Sequence, residues 1–158
     1  MERIFKVLVV FVAITILLSV FGIGIVSMKN AALEKECMAY VDQVVPIILT
    51  DMSVETLSRF ASDEMLNVIP KEELVEGFTC FSKLGELRSY IGCDGRTNTW
   101  GSLQNGRMIT GDYVAQADFE TGLATVELLL LKKKGHWSIL GFHINSEELL
   151  AFDKMHQG

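Results

Sequence analysis

The chain is short of the residues that staple, punctuate or bind metals. Its 158 residues include three cysteines, two prolines and three histidines. Three cysteines exclude a disulfide-dense miniprotein, and Cys37, Cys80 and Cys93 form no C-x-x-C pair of the kind that grips zinc. His136, His143 and His156 never stand at i, i+4 on a helical pattern, so they make no helical metal clamp. Two prolines and the lack of any low-complexity stretch or internal repeat exclude a Pro-rich linker or a solenoid. Phosphate-loop, dinucleotide and serine-nucleophile fingerprints are missing, and no motif requires a cofactor. Positive charge is also scarce, with 14 basic against 20 acidic residues. An acidic chain repels a phosphate backbone, so nucleic acid is not an expected partner.

What is abundant is apolar side chain, at 49%, and it is unevenly spread. The first 29 residues are mostly apolar, whereas residues 30–158 are about 45% apolar, ordinary for a globular domain. Charge divides at the same place. Arg3, Lys6 and Lys29 outweigh Glu2 in the first 29 residues, and the remainder holds 11 basic against 19 acidic residues, a net −8. The chain thus reads as one apolar segment joined to one acidic domain.

Val7–Met28 is a run of 22 uncharged residues. As a helix it is roughly 33 Å long, enough to cross a hydrocarbon core of about 30 Å. A cleaved signal peptide is the rival reading, but its apolar core is normally shorter, and Lys29–Asn30 stand where a cleavage box belongs. An uncleaved anchor is adopted. The slight basic excess before the run places residues 1–6 in the cytoplasm and the domain across a bacterial inner membrane. Thr15, Ser19 and Gly22 share one helical face and would let a second membrane helix approach closely.

The domain opens with helical periodicity. Cys37, Tyr40, Val41, Val44, Val45 and Ile48 recur at helical spacing over 31–49, with Pro46 expected to kink the helix or reset its last turn. Further helices are expected over 53–62, capped by Ser53, through one turn at 65–69, and over 71–84 up to Gly85. The period then changes to two. Strands are expected over Leu87–Cys93 and Thr97–Leu103 about an Asp94–Gly95 turn, then around Tyr113–Phe119, over 123–132 and over 136–145. Leu128–Leu131 suggests burial on both faces. Lys132–Lys134 reads as a solvated hairpin tip, with anionic lipid or an acidic partner as its functional alternative. Glu147–Met155 reads as a short helical tail. Helices followed by strands predict an α+β domain over 29–146, its helices packed on a curved antiparallel sheet around a cone-shaped cavity, with a tail over 147–158.

Two stretches carry a family resemblance. Phe81-Ser-Lys-Leu84-Gly85-Glu-Leu87 resembles a helix-end motif of the nuclear-transport-factor-two-like superfamily, whose fold is a cystatin-like cone. Gly111-Asp-Tyr-Val-Ala-Gln-Ala-Asp-Phe119, Thr125-Val-Glu-Leu128 and Lys134-Gly-His-Trp137-Ser-Ile139-Leu-Gly141-Phe142 resemble its last three strands. The resemblance covers about residues 31–146 and rests on core and turn residues. It implies one of two uses of the cone: an enzyme pocket, as in ketosteroid isomerases and related cyclases, or an assembly module, as in single-span components of bacterial secretion machines.

An enzymatic cone needs a base and a polarising donor inside it. Asp118, His143, Tyr40 and Tyr113 are the residues to weigh. Asp118 alternates with Tyr113 and so lies on the opposite face, while His143 has the parity of Trp137 and Ile139 and is expected to point inward. No isomerase pattern carries over to them. Cys80 and Cys93 are near enough in sequence to bridge the helix-to-sheet junction, and Cys37 reads as a small core residue. The expectation is a non-catalytic, membrane-anchored periplasmic module, an accessory subunit meeting other membrane-complex subunits or its own copy. The alternative is a tethered or secreted small-ligand-binding protein or enzyme using the cone.

Overall fold

The computed structural model describes residues 31–102, 106–147 and 149. The expected tail 1–6, the span 7–28 with its Thr15, Ser19 and Gly22 seam, and most of the tail 147–158 lie outside the described residues. Among the described residues no helix is long and apolar enough to cross a membrane.

The described elements follow the expected order of helices first and strands after. Helix α1 covers residues 31–51. It is followed by α2 (Val54–Phe60), α3 (Asp63–Val68), α4 (Lys71–Phe81) and a 3-10 turn at Ser82–Leu84. Strands β1 (Leu87–Ser102), β2 (Gly106–Phe119), β3 (Gly122–Lys133) and β4 (His136–Ser146) then form one antiparallel meander in the order β1-β2-β3-β4. The domain is therefore α+β, with helices preceding a curved four-stranded sheet.

The helix junctions follow from small polar caps. Helix α1 continues through Pro46, and Met52 closes it with φ 46 and an N–H bond to the Ile48 carbonyl at 2.8 Å. Ser53 caps α2 by accepting from the Thr56 N–H, and Ser62 caps α3 by accepting from the Met65 N–H, both at 3.1 Å. Between them Ala61 bridges Ile139, and the Ser62 N–H bonds to the Ile139 carbonyl at 2.7 Å. Part of the β4 edge is thereby covered. The β3–β4 hairpin turns on Lys134 (φ 52) and Gly135 (φ 86), positive at both positions as a right-twisted two-residue hairpin requires.

The core lies between α1 and the inner face of the sheet. Cys37, Val41, Val44, Val45, Ile48 and Leu49 form the buried stripe of α1. They meet Tyr113, Ala115, Ala117 and Phe119 of β2, Ala124, Val126, Leu128 and Leu130 of β3, and Trp137, Ile139 and Ile144 of β4. The three alanines keep the floor low. At Gly111 an added Cβ would lie 2.9 Å from the Cys37 Sγ, so the helix passes directly over this strand. The curve of the sheet, expected to leave a cavity, is filled by α1.

Three local expectations need correction. Asp94–Gly95 is not a turn but the middle of the continuous strand β1, where Gly95 pairs with Tyr113. Glycine is required there because a Cβ would lie 2.6 Å from the Tyr113 Cγ, a close approach rather than a reversal. Leu128–Leu131 is buried on both faces only in part, since Leu130 and Leu131 are both buried but Leu129 is 37% exposed. The parity of β4 also changes: Leu130 pairs with Ile139 and Leu129 with Gly141, which leaves Leu140 as a bulge. Trp137 and Ile139 point inward, but beyond the bulge Ile144 does so and His143 is exposed.

Substituting Ile48, wholly buried, by alanine is expected to cost about 2–5 kcal/mol in urea unfolding. Ile47→Ala, one position away at 46% exposure, is expected to stay within about 0.5 kcal/mol. Equal effects at the two positions would contradict the packing of α1.

Candidate functional site

The face of the sheet turned away from α1 leaves large apolar side chains exposed, Val114 and Leu129 among them. Strand register arranges it in cross-strand rows. One row is Asp94, Val114, Glu127 and His143, and the next is Arg96, Asp112, Leu129 and Gly141. A third is Gly92, Gln116, Thr125 and Asn145. The first two rows border a shallow, open groove of about 760 Å³. Its centre is apolar, with Val114 45% exposed and Leu129 37% exposed. Gly141 gives Leu129 room on the β4 side, where an added Cβ would come within 3.3 Å of the Leu129 Cβ.

Hydrogen bonds between side chains hold the polar rim. The Asn145 Nδ2 donates to the Glu127 Oε1 at 3.1 Å, and the His143 Nε2 lies 3.0 Å from the Asn145 Oδ1. With the amide nitrogen committed to the carboxylate, the amide oxygen accepts, so the His143 Nε2 carries the proton. Asn98 donates to the Asp112 Oδ2 at 3.0 Å on the opposite rim. The His143 ring also meets the edge of Phe81, with centroids 6.3 Å apart. This is a fixed, hydrogen-bonded surface with an exposed apolar centre. It resembles the core-and-rim composition of a recognition face.

Of the residues expected to carry chemistry, His143 and Tyr113 both border the groove, but the Tyr113 side chain is buried and turns its hydroxyl away to α1. Asp118 lies on the outer face, four residues along β2 from Val114. His143 is two strands across from β2, which puts the pair on the order of 16 Å apart. The Tyr113 hydroxyl donates to the Glu34 carbonyl at 3.0 Å, and the Tyr40 hydroxyl faces the Phe60 carbonyl at 3.5 Å. Both tyrosines tie helices into the fold. Among the described residues no group of three or more His, Cys, Asp or Glu side chains forms a metal site.

The expected Cys80–Cys93 bridge is not formed, and all three cysteines are free thiols. Cys93 faces α1, where its Sγ contacts the Asp42 Oδ1 at 3.3 Å beside the Tyr90 hydroxyl, which bonds to the same oxygen at 2.8 Å. Cys80 belongs to α4 and packs at the margin of the core. Lys132 and Lys133 are not a free basic patch either. Lys132 pairs with Glu36 of α1 at 2.5 Å and lies 5.4 Å over the Trp137 ring, and Lys133 pairs with Glu64 of α3 at 2.6 Å.

The rows of the outer face were not singled out in the sequence. The β2 alternation had already separated Val114, Gln116 and Asp118 from the core. Placing Leu129 and His143 beside Val114 requires the β3–β4 register and its bulge. Compared with known proteins, the chain matches no family model, no curated protein and no solved structure.

Burial sets the response to alkali. It pushes the Cys37 thiol up to about 12 and the Cys93 thiol up to about 11 from an ordinary 9.0. It also raises Tyr40 to about 12 and lifts Tyr90 and Tyr113 above their ordinary 10.0. Raised folded values mean that the unfolded chain ionises first. The stabilisation is therefore complete below pH 9.0 and is lost as pH rises through the folded values. The urea midpoint is expected to hold up to about pH 9 and then to fall steadily toward about pH 12. A flat profile over that window would contradict these placements.

Proposed function

We propose that the protein is a membrane-anchored, non-catalytic binding and assembly module, an accessory subunit of an inner-membrane complex. The observation that carries this reading is the filled concavity of the sheet. Where a ligand-binding cone would keep a pocket, α1 lays Val41, Val45 and Ile48 against Phe119, Leu130 and Ile139, all essentially inaccessible to solvent. Recognition is thereby assigned to the outer face, where Val114 and Leu129 sit between hydrogen-bonded polar rims. An apolar centre inside a polar rim suits another protein surface better than a small metabolite.

The 22-residue apolar run before the domain supports an anchor, with the domain on the periplasmic side. The order of helices and strands and the curved sheet are compatible with the cystatin-like cone of the nuclear-transport-factor-two-like superfamily. Within that superfamily the filled interior favours the assembly use over the enzymatic one. Partners are other subunits of the complex or a second copy, and Thr15, Ser19 and Gly22 would pack against a neighbouring span.

On a blue-native gel from gentle detergent, the full-length protein is expected to run above its monomer mass. Val114→Glu combined with Leu129→Glu is expected to return it to monomer, because two charges would be buried unpaired at the contact. A wild-type protein that runs only as monomer would sink the proposal.

A further inference from the structure

We propose that a second copy of the chain pairs with the open edge of β1, joining two four-stranded sheets into one of eight strands. The proposal goes beyond the outer-face reading and does not use the membrane anchor. The two edges of the sheet differ. The β4 edge is partly covered by Ala61 and Ser62. Strand β1 pairs with β2 on one side only. Among the described residues, no backbone bond from a helix or loop reaches residues 92–98. The Gly95 N–H is met by the carboxylate of its own neighbour Asp94, at 2.9 Å. Ser89, Ile91, Asp94, Arg96 and Thr99 are exposed along this strand. An edge of this kind is a template for another strand.

Symmetry and charge fix the register. A two-fold axis that sets this edge against itself in antiparallel fashion is perpendicular to the sheet, so opposed residues share a face. Faces alternate along the strand, so the axis passes through a residue and not between two. Centred on Gly95, it places Asp94 of each copy opposite Arg96 of the other. Both residues lie on the outer face, Asp94 in the row of Val114 and Arg96 in the row of Asp112. Opposite charges directly across a strand pair attract, and like charges repel. Moving the axis to either neighbour would oppose two Asp94 or two Arg96 side chains. Further out, Cys93 stands opposite Thr97 and Gly92 opposite Asn98, where the bulge between Tyr90 and Gly92 ends the regular edge. Asp112, the charged neighbour of Arg96 on β2, already accepts from Asn98. The five-donor guanidinium can serve both sides. Edge charges commonly hold copies apart. Here their opposite signs, flanking a glycine, draw two copies together in one register.

Asp94, Gly95 and Arg96 also border the outer groove, so the pairing sets two grooves side by side on one face. An edge contact of this length buries less than the roughly 1,200 Å² of a stable interface. It forms where copies are concentrated and dissolves on dilution, so it is read by trapping and not on a native gel.

A disulfide supplies the trap. Thr97→Cys puts a thiol opposite Cys93 of the second copy. Cys37→Ala is included because the Cys37 thiol lies over Gly111, the β2 partner of Thr97. Within one chain, positions 93 and 97 are about 13 Å apart along the strand, too far to bridge. The full chain is oxidised with copper phenanthroline in concentrated detergent solution and run on a denaturing gel without reductant. A covalent dimer is expected, its linked peptides joining Cys93 to position 97. Adding Asp94→Arg, which opposes two cations, is expected to lower the yield several-fold, and adding Arg96→Glu to that is expected to restore it. Circular dichroism checks that each variant is folded, since the introduced carboxylate faces Asp112. Leu129→Glu, two strands in from the edge, is expected to leave the yield unchanged. A folded Thr97→Cys chain that gives no dimer, a yield indifferent to Asp94→Arg, or a folded charge swap that restores nothing overturns the pairing. A dimer lost in Leu129→Glu overturns it too, while leaving the outer-face reading standing.

Discussion

Everything else in this domain depends on α1 lying against a low floor. Gly111, Ala115, Ala117 and Ala124 remove bulk from the centre of the sheet, and the apolar stripe of α1 settles into the space. Close packing of this kind tolerates neither a missing nor an added methylene without cost. The polar ties around it are secondary. The Tyr113–Glu34, Lys132–Glu36 and Tyr90–Asp42 contacts fix the position of the helix along the sheet, but most are exposed or partly exposed and contribute modestly. The ion pair of Lys132 is the firmest of them, since its side chain is only 13% exposed and sits over Trp137.

That packing decides where function lies. A sheet that curves around an empty space builds a pocket, whereas a sheet that curves around a helix builds a rigid platform. The platform presents Val114 and Leu129 outward between a His143–Asn145–Glu127 rim and an Asn98–Asp112 rim. The same helix sets orientation. Glu34 and Glu36 at its N-terminal end fix it to the hairpin end of the sheet, through Tyr113 and Lys132. At the β3–β4 end of the domain, Lys132 and Lys133 are paired with helix acids and Lys134 is exposed.

Much of the fold was legible in the sequence, for physical reasons that can be named. The α1 stripe shows because residues at i, i+4 and i+7 face one way, and the β2 alternation shows because its inner face is buried and its outer face is wet. Ser53 announced a cap, and Gly85 a stop. Other features were hidden. Asp94–Gly95 looks like a turn because the same pair serves turns. Only the tyrosine packed against it reveals that the glycine makes room within a strand. His143 was placed on the inner face because parity was counted through Leu140, and a bulge leaves no mark in a run of apolar residues. The groove escaped notice because its residues come from four strands, and no single segment carries its pattern. The free Cys80 and Cys93 were likewise beyond reach, since spacing along the chain does not say which way a strand turns its thiol.

Native-state hydrogen exchange on the α1 amides tests the central claim, a permanently filled curve, most directly. If α1 is an integral part of the core, the amides of residues 41–49 exchange only through global unfolding, with the same opening free energy as those of β2 and β3. If the helix instead opens at much lower free energy while the sheet stays protected, the curve of the sheet is a cavity that α1 merely covers. The account of a solid platform would then be wrong.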